Sequence, residues 1–279
     1  MMATVTLATV TLANWLRNEL GAKIELSRSH NDRMNGIEWL GTIQSLPLKL
    51  GIASLWLVGV GALAGLVDRW TPPGSEYVRK VVHIGTGNII LLAWWMHIPP
   101  HAILLAGIFF GIVTLLTYQV RSDGRQWLAS INQVGRQSYG TFFYAVSIGI
   151  LGAGFGWIQR PEFAVVGILV MTWGDGLAGL IGKQFGRYQY EIWGMKKSWE
   201  GSIVMLIVST LVTYVVLASC GLPSSIASSG TLLAIAIVVG GVAASLEAFS
   251  KYGLDNLTVP LVSSVIAYHL VNLASEGIL

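Results

Sequence analysis

Residues Trp173–Ser202 read WGDGLAGLIGKQFGRYQYEIWGMKKSWEGS. The stretch leaves an apolar run at a carboxylate, Asp175, and passes through repeated glycines. It then gathers Lys183, Arg187, Lys196 and Lys197 in a short loop and returns to an apolar run just after Glu200. Ionisable groups at membrane depth are costly, so an acid, a lysine pair and a second acid at this boundary mark a functional site that handles a charged ligand.

The composition extends this reading outward. The chain has 279 residues, 53% hydrophobic and 11% charged, with mean hydropathy +0.64; a soluble domain carries about 25% charged residues. Several apolar runs of about 18 residues or more imply an all-α, multi-pass transmembrane bundle. The spans read as 46–67, 82–98, 101–118, 139–157, 162–181, 202–220, 231–248 and 257–273, seven or eight in all, and Pro99-Pro100 turns the chain between the second and third. The second and last are short enough to be tilted, half-buried or re-entrant. Residues 1–44 read as a polar or interfacial N-terminal segment, and 45–279 as one membrane-embedded domain. The single cysteine, Cys220, excludes an intrachain disulfide and a cysteine-based zinc cluster.

The net charge is +3, yet no basic stripe with interleaved aromatics suggests nucleic acid. Alternating the spans instead collects Arg69, Arg79, Lys80, Arg121, Arg125, Arg136, Lys183, Arg187, Lys196, Lys197 and Lys251 on one side, against Arg160 on the opposite short loops. The rule that basic loops stay inside places the first set in the cytoplasm. Arg17, Lys23, Arg28, Arg33 and Lys49 fall on the far side and run against that rule. An odd number of spans, or a first segment that does not cross, removes the conflict. The pairs Gly61/Gly65, Gly107/Gly111 and Gly152/Gly156 have the small-residue spacing that lets helices approach closely in a bilayer.

Three polar clusters share the cytoplasmic side. Arg79, Lys80 and His83 form a compact cationic patch, with Arg79 and His83 four apart on one helix face. Asp175, the glycines through Gly182 and Gly186, then Lys196, Lys197, Ser198 and Glu200 combine phosphate-neutralising lysines with acids suited to Mg²⁺. The spacing fails the P-loop pattern, since Gln184 follows Lys183. Glu247, Ser250, Lys251, Asp255 and Asn256 close the set; Asp255-Asn256 suits either metal binding and hydroxyl orientation or a helix cap. A lesser feature, Arg136 to Thr141, suits the headgroup region.

In this order the segments RKVVH (79–83), GDGLAGLIGKQFG (174–186), KKSWEGS (196–202) and EAFSKYGLDNLTVP (247–260) resemble the phytol kinase and dolichol kinase family of polyprenol kinases. The likeness covers about residues 79–273, and the overall size is most similar to phytol kinases of photosynthetic organisms. It implies transfer of a phosphoryl group from CTP to the hydroxyl of an isoprenoid alcohol (phytol, geranylgeraniol or farnesol) in a plasma or thylakoid membrane. The product, phytyl phosphate, feeds tocopherol synthesis and phytol salvage. The preference for CTP comes from the resemblance alone.

On this reading Lys196, Lys197 and Ser198 hold the nucleotide phosphates near the Gly182–Gly186 backbone. Asp175 and Glu200 position Mg²⁺. Arg79, Lys80 and His83 stabilise charge on the transferred group, and Asp255, oriented by Asn256, accepts the alcohol proton; Asp175 and Asp255 can exchange these roles. The middle segment is also similar to phosphatidate cytidylyltransferases, which transfer the cytidylyl group to a lipid phosphate, so that chemistry is the alternative. A transporter fits less well, because its polar groups would run through the spans rather than collect at one face.

Overall fold

The computed structural model describes residues 45–72, 75–119, 139–223, 226 and 229–278. The N-terminal segment 1–44 and the loop carrying Arg121, Arg125, Arg136 and Ser138 lie outside the described residues. The chain order is α1 (Leu46–Trp70), α2 (Glu76–Gly87), α3 (Ile89–Trp95), α4 (Pro100–Gln119), α5 (Gly140–Trp157), α6 (Pro161–Phe185), a hairpin of β1 (Gln189–Ile192) and β2 (Met195–Ser198), α7 (Trp199–Ser219), α8 (Ser229–Phe249) and α9 (Asp255–Ser275).

Among the described residues, six helices (α1, α5, α6, α7, α8 and α9) are long and apolar enough to cross a membrane, and α4 contributes a shorter apolar helix. The protein is an integral membrane protein with the expected helical architecture. The expected second span is a pair, α2 and α3, interrupted at Asn88. There the Asn88 side-chain amide donates to the Ile84 carbonyl at 2.8 Å, the local bonding by which asparagine competes with a continuous helix. Proline at the start of α1, α4 and α6 lacks the N–H that a helix start cannot satisfy.

The most buried span is α6. It is apolar on all sides, as a helix enclosed by its neighbours must be, and Phe163, Val166, Ile168, Val170 and Met171 are sealed among α5, α7 and α9. Small residues set the close approaches. A Cβ on Gly107 would strike the backbone of Gly149, which ties α4 to α5, and one on Gly152 or Gly156 would strike Ile103 or Pro100. Gly61 and Gly65 meet nothing within 4 Å among the described residues, so that expected pair makes no close approach there.

The charged loop holds the other departure from the sequence reading, a two-stranded antiparallel hairpin with Tyr190 opposite Lys197 and Glu191 opposite Lys196. Trp193 and Gly194, both with positive φ, make its two-residue turn. Lys251 Nζ donates to the Trp193 carbonyl, which docks the hairpin tip beside the α8–α9 turn. The end of α1, the start of α2, the hairpin and the α8–α9 turn thus meet at one end of the bundle. Lys49, His97 and Arg160 stand at the other.

Candidate active site

Lys80 is almost wholly buried, and its Nζ donates to both Oδ2 and the main-chain carbonyl of Asp175, each at 2.8 Å. This contact joins α2 to α6 across 95 residues of sequence. Glycine makes it possible. A Cβ on Gly179 would collide with the end of Lys80, and one on Gly176 with Ile84. Just before Asp175, residues Val170–Asp175 form a π turn, a local widening that recurs at functional sites. The Met171 carbonyl inside this turn lies 3.2 Å from His83 Nε2. A carbonyl oxygen can only accept, so Nε2 carries the proton and Nδ1 is the basic nitrogen. The same Nε2 is 3.5 Å from Asp175 Oδ2.

The imidazole is fixed from its other face. His83 stacks on Tyr144, with ring centroids 4.5 Å apart and planes 14° from parallel. The Thr172 hydroxyl donates to the Ile168 carbonyl at 2.6 Å, so the Tyr144 hydroxyl, 2.6 Å away, donates to Thr172. Gly87 leaves room for this pair, since a Cβ there would overlap both hydroxyls.

A second ion pair joins Lys197 of β2 to Glu247 at the end of α8, and Lys197 Nζ also donates to the Glu247 carbonyl at 2.9 Å. Burial acts to lower the Lys197 pKa. The charge and hydrogen bond of Glu247, with Asp255 and Asp175 acting in the same direction, together outweigh it and hold the ammonium above its ordinary value. Carboxylates from α6, α8 and α9 therefore all act on this lysine, and Glu247 of α8 touches it. At the start of α9, Asp255 Oδ1 accepts from the main-chain N–H and the side-chain amide of Asn256, at 3.0 and 3.1 Å. The turn before it passes through Tyr252 and Gly253, both with positive φ.

Arg79, Lys80, His83, Asp175, Lys196, Lys197, Asp255 and Asn256 line one cavity of about 1250 Å³. All three clusters read from the sequence meet there. The remaining candidates stand elsewhere. Glu200 does not line the cavity; its Oε1 accepts from the backbone N–H of Arg187 and Tyr188, at 2.8 and 3.1 Å, and so caps the loop entering the hairpin. Ser198 caps α7 by accepting from Gly201 N–H at 3.1 Å, and Gly182 and Gly186 pack against it. These four hold β2 in place from behind Lys196 and Lys197. Arg79 pairs with Glu76, which also lies 3.7 Å from Lys183. Sequence reasoning gave no role to Glu247, Tyr144, Thr172 or Glu76. A tyrosine and a threonine inside otherwise apolar spans were the only signal for two of them.

Beyond its charged end the cavity continues between α1, α3, α4 and α5 as an apolar gallery. A helical membrane bundle whose acid–lysine site opens onto such a gallery has the form of an enzyme that works on a lipid. Over 229 residues the sequence is 44% identical to a phytol kinase of Synechocystis sp., covering 80% of this chain and 93% of that one. It is 27% identical over 201 residues to phytol kinase 1, chloroplastic, of Arabidopsis thaliana, covering 68% of this chain and 65% of that protein. It is 30% identical over 134 residues to CTP-dependent diacylglycerol kinase 1 of Schizosaccharomyces pombe, covering 46% of this chain and 59% of the relative. No family model and no solved structure matches. The chain belongs to the phytol kinase family. It is a phosphotransferase with an alcohol group as acceptor.

Proposed function

We propose that this enzyme transfers the terminal phosphoryl group of CTP to the hydroxyl of phytol, giving phytyl phosphate and CDP for tocopherol synthesis and phytol salvage. The observation that carries the reading is one continuous cavity with lysines, carboxylates and a histidine at one end and an apolar gallery at the other. Such a shape receives a phosphate donor from water and a hydroxyl carried on a hydrocarbon tail. The 44% identity to a phytol kinase supports the acceptor, and the relative named for CTP-dependent diacylglycerol phosphorylation supports the donor.

Phosphoryl transfer depends mainly on positioning and charge neutralisation. Lys196, exposed at the cavity mouth, and Lys197 and Arg79 beside it bind phosphate oxygens. Lys80 holds Asp175, and Tyr144 with Thr172 holds the His83 ring. Asp255, oriented by Asn256, accepts the alcohol proton. The residues present fit Mg²⁺: Asp175 Oδ1 and Asp255 Oδ2 make no hydrogen bond among the described residues, and both carboxylates line the cavity. No group of three protein ligands exists among the described residues, which suits an ion that binds through one or two carboxylates plus substrate phosphates. Mg²⁺ held there supplies neutralisation of the phosphate charge. Asp175 would hold the ion while Asp255 takes the proton, or the two exchange these roles; Glu200 is engaged in the loop cap and takes no part.

The basic residues gathered at the charged end support a cytoplasmic orientation for it, in a plasma or thylakoid membrane. The test offers purified enzyme labelled CTP, ATP or UTP with phytol, geranylgeraniol, farnesol and dolichol, and identifies the products. Phytyl phosphate with CDP is expected. Release of pyrophosphate would replace this reading with cytidylyl transfer.

A further inference from the structure

The apolar gallery has a defined length, a floor lined by Leu46, Ile98, His101 and Ala102, and an open side. On α1 its lining recurs at Leu46, Leu50, Ala53, Leu57, Val60 and Gly61, one helical face from the far end of the bundle to the charged end. Fifteen residue steps at about 1.5 Å make this face about 22 Å long. The floor is strapped. Lys49 of α1, itself buried, donates from Nζ to the His97 carbonyl in the α3–α4 turn at 3.2 Å, drawing α1 against the turn below Ile98 and Ala102. The side is not strapped. α1 packs on α2, with Trp56 Nε1 donating to the Gly85 carbonyl at 2.8 Å, and α4 packs on α5, but α1 and α4 form opposite walls without an extensive contact between them among the described residues. Leu50, Leu105 and Phe109 stand exposed along that gap.

We infer that this gallery is the binding site for the alcohol's tail, that the tail enters sideways from the bilayer between α1 and α4, and that the floor at Leu46, Ile98 and Ala102 limits its length. The inference rests on the isoprenoid alcohol of the proposed function and adds where the tail lies and what measures it. Carbon–carbon bonds of about 1.5 Å advance about 1.25 Å each along an extended chain, so a sixteen-carbon backbone spans about 19 Å. That fills the gallery from the His83 level to the floor. Longer polyprenols must leave through the gap and lose that enclosure.

The test is a chain-length series (geraniol, farnesol, phytol, dolichol) on the full chain in bilayer nanodiscs. Wild type and Ala102→Trp, which raises the floor, are compared, with Ala102→Leu as a milder version. Hydrophobic pockets discriminate one methylene by about ten-fold or more. The variants should therefore raise the KM for phytol by about ten-fold or more while leaving geraniol and the nucleotide requirement unchanged. The unchanged nucleotide requirement also shows that the variant is folded. A uniform loss across all alcohols, or no change for any, overturns the inference. So does a wild type indifferent to chain length, the outcome if the residues preceding Leu46 fill the gallery instead. A wild type that phosphorylates no isoprenoid alcohol sinks the proposed function itself, and the gallery's assignment with it.

Discussion

Replacing Asp175 by asparagine removes one charge from a pair whose partner cannot leave. The Lys80 side chain is 3% exposed, and the acceptors of its ammonium group both belong to Asp175. Removing one member of a buried pair costs about 3–5 kcal/mol, because the other charge stays buried without compensation. Asparagine keeps the shape and a side-chain oxygen, and the main-chain acceptor is untouched, so the lower figure, about 3 kcal/mol, applies. The double variant Asp175→Asn/Lys80→Met removes both charges. Replacing a buried pair by apolar groups is often neutral, so most of that loss should return. Activity should not follow stability. Losing a group that organises charge in the transfer step should lower turnover about 10²- to 10³-fold in both variants. Thermal denaturation in detergent and initial rates at saturating nucleotide separate the two effects. The single variant should melt earlier and the double near wild type, with both turning over about 10²- to 10³-fold more slowly. A single variant as stable as wild type refutes the argument that Lys80 depends on this charge. A double variant with restored turnover removes Asp175 from the chemistry.

Lys197 gives a pH prediction. Its pKa is raised in the folded protein, so its bond to Glu247 is fully formed below the ordinary lysine value of about 10.4 and fades only as pH climbs through the elevated one. Glu247→Gln removes the main cause of that elevation and leaves burial, which acts downward. The variant's nucleotide affinity should start to fall at lower pH than wild type, and identical profiles would discard the Glu247 role. Metal binding should require nucleotide: Mn²⁺ followed by electron paramagnetic resonance should stay free with enzyme alone and become bound when CTP is added. Tight binding without CTP would point to a preformed protein site. Glu200→Gln should keep near-normal activity, since an amide oxygen still accepts from the Arg187 and Tyr188 N–H groups. Glu200→Ala should loosen the hairpin and weaken nucleotide use. A Glu200→Gln enzyme as dead as Asp175→Asn would restore Glu200 as a metal ligand.

The spans were legible because each is a long apolar run, and Pro99-Pro100 marked a true turn. The break at Asn88 was not, since it depends on one side chain bonding Ile84 within an apolar run. The hairpin was hidden because its turn is Trp193-Gly194, and tryptophan does not announce a positive φ as asparagine does. The glycines were visible, but what each faces was not: Gly179 admits Lys80, while Gly182 and Gly186 admit Ser198. Sequence order gathered the charges at one membrane boundary without saying which of them pair, and the pairing changes the electrostatics. Read from the sequence, the basic residues form a cationic site ready for phosphates. In the structure Arg79 meets Glu76, Lys80 meets Asp175, and Lys197 meets Glu247. Lys196 and Lys251, which also line the cavity, have no carboxylate within 4 Å among the described residues. A triphosphate therefore approaches a site whose charges are largely matched already, with Asp255 adding one more negative group. Either a divalent cation arrives with the nucleotide, or a lysine exchanges its carboxylate for a phosphate oxygen. The first makes metal and nucleotide binding cooperative, and the second makes the Lys197–Glu247 pair open as CTP binds.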